Sequence, residues 1–320
     1  MSRNLDVVNP DEKTGSYHLK VFLKSMGVML GLIILTLICL VPIYLIVVNA
    51  FRTEQNITNT ALSFLPEFGT KMQIDGEMKD VNAWQVLVQN LHTAKVRLQF
   101  DALPGFRNSL IISVSSTILT IFFSCLTAYG LCVYDFKIKD SAFTFVVAVM
   151  MVPTQVMGVG FIRFMMNFFG MKLTGTYWPL IIPAIAAPAV VFFMCQNMKS
   201  TFPFDIIEAA RIDGCGEFRT FLTIGLPMLK PAIAVQAIFA FVASWNNFYT
   251  PQLILGSSTD RSWEKRTMPL MIAGVLSNDN VRDKGAQAAV ISLSILPLII
   301  AYVTLSRFII EGVALGGVKE

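Results

Sequence analysis

Charge is scarce in this chain of 320 residues: only 14% are Asp, Glu, Lys or Arg, while 54% are hydrophobic. Soluble domains carry about 25% charged residues, so a mean hydropathy of +0.62 points to a membrane protein before any motif is read. The apolar cores of its six long hydrophobic runs hold no Asp, Glu, Lys, Arg or His. A proton-driven carrier places titratable groups at mid-membrane, and an intramembrane enzyme needs acids, bases or metal ligands there. Both classes are disfavoured on that ground. The two histidines, His18 and His92, lie outside the runs and read as solvated residues. The five cysteines, at positions 39, 125, 132, 195 and 215, show neither a disulfide framework nor metal-ligand spacing. No GxxxxGK[ST] motif is present, so ATP is not bound by that device. A net charge of +4, without a basic patch interleaved with aromatics, gives no reason to expect a nucleic acid partner.

What the chain does hold is apolar length. Runs at about 25–48, 109–134, 141–162, 178–197, 228–255 and 286–306 each approach or exceed the roughly 20 residues that cross 30 Å of hydrocarbon. The expected fold is therefore an all-α polytopic membrane protein with six transmembrane helices. Residues 1–24 are polar and mixed in charge, and the run behind them is too long for a secretory signal. They read as a cytoplasmic segment ahead of an uncleaved first span. Pro153, Pro183, Pro188 and Pro297 fall inside runs and free backbone carbonyls. The resulting kinks serve either a pathway or packing alone.

Between the runs, 52–107 has balanced charges and turn signals at Pro66, Gly76, Pro104 and Gly105. It reads as a small folded loop outside the bilayer with one amphipathic helix near 82–91, and no ligand site is visible in it. The link 135–140 carries Lys137 and Lys139, which places it on the cytoplasmic side. An even number of spans then puts both termini on that side, including the tail 307–320. The segment 256–285 reads as a polar loop.

The most structured polar stretch is 202–231, FPFDIIEAARIDGCGEFRTFLTIGLPMLKP. Pro203 suits a first helical turn, and Thr201 before it is a candidate cap. Asp205 and Glu208 fall where acids favour the helix dipole. Ala209 and Ala210 leave a low surface for close approach. Gly214 suits a left-handed helix stop. A second helical run, 217–224, ends at Leu226-Pro227. Helix, turn and helix delivered into a span read as a docking element. The competing reading is an amphipathic linker lying in the membrane interface.

The series Glu208-Ala209-Ala210, Gly214, Ile224 and Leu226-Pro227 resembles the EAA loop of permease subunits in bacterial ABC importers. Asp213-Gly214 and Phe221 fit the form seen in carbohydrate importers. Asn108-Ser109-Leu110, Ser244-Trp245-Asn246-Asn247-Phe248 and Gly316-Gly317-Val318-Lys319 extend the likeness. Over nearly its whole length the chain is similar to the smaller permease of maltose-type sugar importers, with 25–320 as the transmembrane domain.

That resemblance implies a multi-pass protein of the bacterial cell membrane, with a cytoplasmic EAA coupling helix. It implies a second related permease, a dimer of ATP-binding ABC subunits, an extracytoplasmic solute-binding protein and a sugar substrate. The chain itself would bind no cofactor, since ATP and Mg belong to the partner ATPase, and it would not be an enzyme. Glu208, Ala209, Ala210, Asp213, Gly214, Ile224, Leu226 and Pro227 would be mechanical contacts in ATPase coupling. The tail would reach into the ATPase dimer, and 256–285 would either probe the binding protein or serve as a plain connector. Trp245, Asn246, Asn247 and Phe248 have the aromatic faces and amides that suit sugar rings, so they are candidates for the pathway. Packing is their competing role, and Thr250-Pro251 departs from the family's more usual tryptophan-proline ending. The remaining alternatives are an importer permease for a non-sugar solute and, in another class, a self-sufficient channel or secondary carrier.

Overall fold

The computed structural model describes residues 10–60, 62–67, 69–74, 77–98, 100–153, 158–166, 170, 173, 175–255, 264–277 and 283–316. A single helix, α1 (Pro10–Ala50), carries the first apolar run and is exposed along most of its length. The segment 52–101 then folds into α2 (Glu54–Asn59), an antiparallel hairpin of β1 (Thr70–Ile74) and β2 (Glu77–Val81), and α3 (Ala83–Arg97). The hairpin pairs Thr70 with Val81 and Ile74 with Glu77. It is a correction to the sequence reading, which expected no strands. The helix near 82–91 is present but runs on to Arg97. Asn82 opens it with a capping box, its side chain accepting from Gln85 N at 2.9 Å while the Gln85 side chain accepts from Asn82 N.

The second run begins earlier than expected. Asp101 accepts a hydrogen bond from Leu103 N, and α4 (Ala102–Val133) follows without a break. This helix is the centre of the molecule. Its buried stripe includes Ile112, Ser116, Thr120, Cys125, Ala128 and Tyr129.

The third run does not form one helix. α5 (Lys139–Met150) gives way at Met151–Pro153, and α6 (Gly158–Met166) resumes after four residues outside the description. Proline disfavours the helical conformation at the residue before it and donates no amide. Twelve residues of α5 span only about 18 Å.

The fourth run is bent by its prolines into α7 (Trp178–Ile181), a 3₁₀ turn (Ile182–Ile185) and α8 (Pro188–Thr201). Pro188 has no amide for the Ala184 carbonyl, and Thr120 Oγ of α4 donates to that oxygen at 2.9 Å. Ser116 Oγ donates likewise to Leu180 O at 3.3 Å. Here the Ala184 carbonyl that proline frees is satisfied by a neighbouring helix.

Beyond α8 come α9 (Phe204–Ile212), α10 (Glu217–Thr220), a π turn (Phe221–Gly225) and α11 (Leu226–Met228). The fifth run is also interrupted: α12 (Lys230–Trp245) stops, and α13 (Tyr249–Leu255) restarts with Asn247 Oδ1 accepting from Thr250 N at 3.2 Å. The expected polar loop 256–285 contains an apolar helix, α14 (Met268–Leu276), with Met268, Leu270 and Val275 buried. The last described element is α15 (Lys284–Gly316).

Among the described residues, Lys20–Ala50, Ala102–Val133, Trp178–Ser200 and Lys284–Thr304 are long and apolar enough to cross a membrane. A fifth crossing results if Glu217–Met228 and Lys230–Trp245, bent by 80°, count as one. Six transmembrane helices are expected from the sequence; among the described residues four helices meet the length and apolarity of a crossing by themselves, or five with the bent pair, and the third run is divided at Pro153 and the fifth at Asn246-Asn247. The protein is nevertheless multi-pass and mostly helical.

Candidate functional site

The polar stretch 202–231 is built as an elbow. Ile207 and Ala210, three residues apart, face inward at 1% and 6% exposure, while Asp205, Glu208, Ala209 and Ile212 lie on the exposed side of α9. Only one of the two small residues is therefore accessible: Ala209 is open and Ala210 packs inside. Pro203 stands at the N-cap position without a side-chain cap. Thr201 is the last residue of α8, and the N-cap position of α9 falls at Pro203.

The helix stop follows the sequence reading closely. Gly214 has φ of +77°, the left-handed region that disfavours side chains. Cys215 N donates to Ala210 O at 2.9 Å and Gly214 N to Arg211 O at 3.0 Å, the paired bonds of a Schellman stop. No atom crowds the glycine, so its backbone angle, and not space, requires it.

Across that turn Arg211 and Glu217 form a two-point ion pair, Nε to Oε1 at 2.7 Å and an Nη to Oε2 at 3.3 Å. Tyr134, the residue that closes α4, donates its hydroxyl to Glu217 Oε2 at 2.7 Å. The Arg211 guanidinium carbon sits 5.4 Å from the Tyr134 ring centre. These bonds, Arg211 first and then Tyr134, hold the Glu217 carboxyl below the usual carboxylate range. Together the three side chains tie both helices of the elbow to the end of α4. Sequence reading missed this brace, although Arg211 and Glu217 six apart across a glycine stop were visible as a candidate pair.

Behind the exposed face lies the largest apolar cluster. Phe221 is 1% exposed and meets Tyr129 at 5.2 Å, Phe122 at 6.2 Å and Phe218 at 6.2 Å between ring centres. A Cβ at Gly225 would come within 3.0 Å of the Tyr129 ring, so this glycine lets the π turn lie on the aromatic. Ile224 and Leu226 are half-buried at the edge of the cluster, and Pro227 is exposed. Leu229, 1% exposed, occupies the bend ahead of α12. Pro231 behind it has no amide to continue the earlier helix.

The second group of candidate residues is not brought into one site. Trp245 is 2% exposed, stacks on Phe241 at 5.9 Å and donates Nε1–H to Ser294 O at 3.2 Å. Asn247 caps α13, while Asn246 and Phe248 are exposed. Another motif has a clear structural use. Asn108, fully buried, donates to Glu264 O and Arg266 O at 2.8 and 3.0 Å and accepts from Tyr177 Oη at 2.7 Å. Ser109 Oγ accepts from Met268 N at 2.7 Å. The pair fastens the start of α14 to α4.

Residues 120–314, which include α8, the whole elbow and α12, match the family model of the binding-protein-dependent transport system inner membrane component. The chain belongs to that family. This inner membrane component is 38% identical over 215 residues to the arabinooligosaccharides transport system permease protein AraQ of Bacillus subtilis (strain 168), covering 67% of this chain and 73% of the relative. It is 30% identical over 215 residues to the melibiose/raffinose/stachyose import permease protein MelC of the same organism, covering 67% and 75%. The probable starch degradation products transport system permease protein AmyC of Thermoanaerobacterium thermosulfurigenes is 27% identical over 290 residues, covering 90% and 94%. In fold, the component is similar to a chain from a bacterial ABC transporter involved in import of the acidic polysaccharide alginate. That likeness has a TM-score of 0.66, 20% identity, and coverage of 90% and 96%. Its relatives are transport components and not enzymes.

Proposed function

We propose that this inner membrane component is the permease subunit of an ATP-driven importer for a sugar or oligosaccharide, and that the elbow receives motion from a partner ATPase. The single observation that carries the proposal is the elbow's construction. One face is anchored in the core by Ile207, Ala210 and Phe221, while the other exposes Glu208, Ala209 and Ile212, the last at 86%. A large aliphatic side chain left so exposed beside an acid and a bare alanine suits a cleft on another protein. The anchored face makes the elbow a lever: displacement of α9 passes through the brace to α4 and through Leu229 to α12. Rigid elements of this kind suit alternating access.

The sugar assignment is supported by the sugars and starch products for which the relatives AraQ, MelC and AmyC are named. In this scheme the chain forms half of the translocation pathway beside a second, related permease. Two ATP-binding subunits carry ATP and Mg, and an extracytoplasmic binding protein delivers solute. The elbow and both termini face the cytoplasm.

Glu208→Lys and Gly214→Asp test the coupling role. Lysine reverses the charge on the exposed face, and aspartate at a φ of +77° strains the stop by about 1 kcal/mol. Both variants are expected to insert in the membrane normally, to lose most uptake and to release the ATPase on affinity purification. Normal uptake with ATPase recovered at wild-type yield would sink the assignment.

A further inference from the structure

One side of α4 is left open beside α7. Ile111, Ser115 and Ile118 of α4, with Trp178 and Ile181 of α7, line a groove of about 720 Å³, within the roughly 300–1,000 Å³ typical of small-molecule sites. Ile111, Ile118 and Trp178 are 42%, 62% and 58% exposed, so apolar walls stand open along the helix. Arg107 lies four residues before Ile111 and Ser115 four residues after it, a spacing that sets the three in one row on the helix. At the Arg107 end the groove becomes polar. Lys265, the one charged side chain that lines it among the described residues, donates Nζ–H to Gly175 O at 2.9 Å. An ammonium can donate further bonds, and among the described residues no acid is paired with this one. Arg107 is exposed and lies beside the hydroxyl of Tyr177, another lining residue, so both cations stand at the same end. Glu264, next to Lys265 in sequence, does not line the groove.

From Arg107 to Ile118 the helix rises about 17 Å, a little over half of the roughly 30 Å of hydrocarbon in a bilayer. The groove therefore runs the depth of one leaflet. That leaflet is the one away from the elbow, because the opposite end of α4 is tied to the elbow through Tyr134. Tryptophan and tyrosine favour the headgroup level of a membrane, and basic pockets between membrane helices hold anionic head groups. Here two cations and two aromatic side chains gather at one end, with an apolar floor beneath them. We propose that the groove binds an anionic phospholipid, one acyl chain lying along Ile111, Ser115 and Ile118 and the phosphate oxygens accepting from Lys265 and Arg107. A protein helix on this face would bury both cations, whereas a phosphate at headgroup level pairs with them where water still reaches. The site is separate from the elbow and does not depend on the importer reading; it needs only that the chain lies in a membrane.

The test begins with the full chain in its native membrane. Benzoylphenylalanine in place of Ile118, irradiated there, should gain the mass of a phospholipid. An adduct with a protein chain would mean that another subunit covers the groove, and would overturn the proposal. The chain is then purified in mild detergent with whatever subunits accompany it, and phosphatidylglycerol and phosphatidylcholine of equal chain length are titrated by native mass spectrometry. Phosphatidylglycerol should bind about ten-fold tighter or more. Lys265→Gln combined with Arg107→Gln should weaken it about thirty-fold and leave phosphatidylcholine unchanged, while Lys265→Arg should retain it. Ser115→Phe fills the groove and should weaken both lipids; Leu110→Phe, exposed and outside the groove, should weaken neither. Equal binding of the two lipids, or wild-type affinity in the double glutamine variant, overturns the anion seat. Displacement of the lipid by glycerophosphoglycerol, the headgroup without chains, at similar concentration overturns the acyl-chain groove. Should the double variant fail to purify, the photo-adduct and Ser115→Phe decide the matter between them.

Discussion

At the scale of single residues, the ion pair of Arg211 and Glu217 is the most exact piece of chemistry in the elbow. Its side chains are 35% and 44% exposed, so solvent screens much of its strength. Its value is geometric, because two bonds to one carboxylate leave little freedom across the Gly214 turn. The folded state depresses the Glu217 pKa, so its contribution is present above the ordinary carboxylate range. It is lost as pH falls through the depressed value. Wild type is therefore expected to melt slightly above Glu217→Gln at neutral pH, with the gap closing under acid conditions. A gap that widens on acidification would contradict the brace. Trp245 shows what one residue's name cannot reveal. An aromatic beside two amides suits a sugar, yet here the indole is stacked and hydrogen-bonded inside the protein.

At the scale of elements, prolines explain most departures from simple spans. Hydropathy sees Pro153, Pro183 and Pro188 as interruptions but does not say what receives the freed carbonyls. The structure answers for the fourth run, where hydroxyls of α4 reach across. Thr120→Val keeps the shape and removes the donor to Ala184 O, so it should cost about 1 kcal/mol, the scale of hydrogen bonds between membrane helices. Thr120→Ser should retain stability. Thermal unfolding of the purified importer checks this, and equal melting of the valine and serine variants would argue that the bond contributes nothing. The elbow itself was legible: helix, glycine stop and second helix stand where the residue pattern put them. The π turn was not, since it depends on Gly225 meeting Tyr129 from another helix.

At the scale of the whole molecule, the segment 52–101 works as a clamp between the first and last helices. Asn90 of α3, 1% exposed, donates to Ala50 O and Arg52 O at 2.8 and 3.0 Å. Arg52 in turn donates to Asn56 O and Thr60 O, and Glu54 accepts from Lys284 N at the start of α15. A Cβ on Gly285 would stand 2.7 Å from Arg52 O, which is backbone and cannot swing aside. Gly285→Ala should therefore loosen the clamp, at the roughly 1–3 kcal/mol typical of overpacking. Limited proteolysis between 60 and 82 should accelerate in that variant, and an unchanged cleavage rate would show that the helices tolerate the shift.

The chain's membrane character, its helical class, the elbow and the glycine stop were determined by the sequence alone, because each rests on local pattern: apolar length, proline and glycine geometry, and residue spacing. The tertiary structure decided the rest. The burial of Met268, Leu270 and Val275 in α14, the inward turn of Ala210 and the brace to Tyr134 each depend on partners distant in sequence. Asn108 meets its carbonyls more than 150 positions away, with a separation of 156 residues to Glu264. No local window contains both ends of such a bond, and burial of a polar side chain is settled only when its partners arrive.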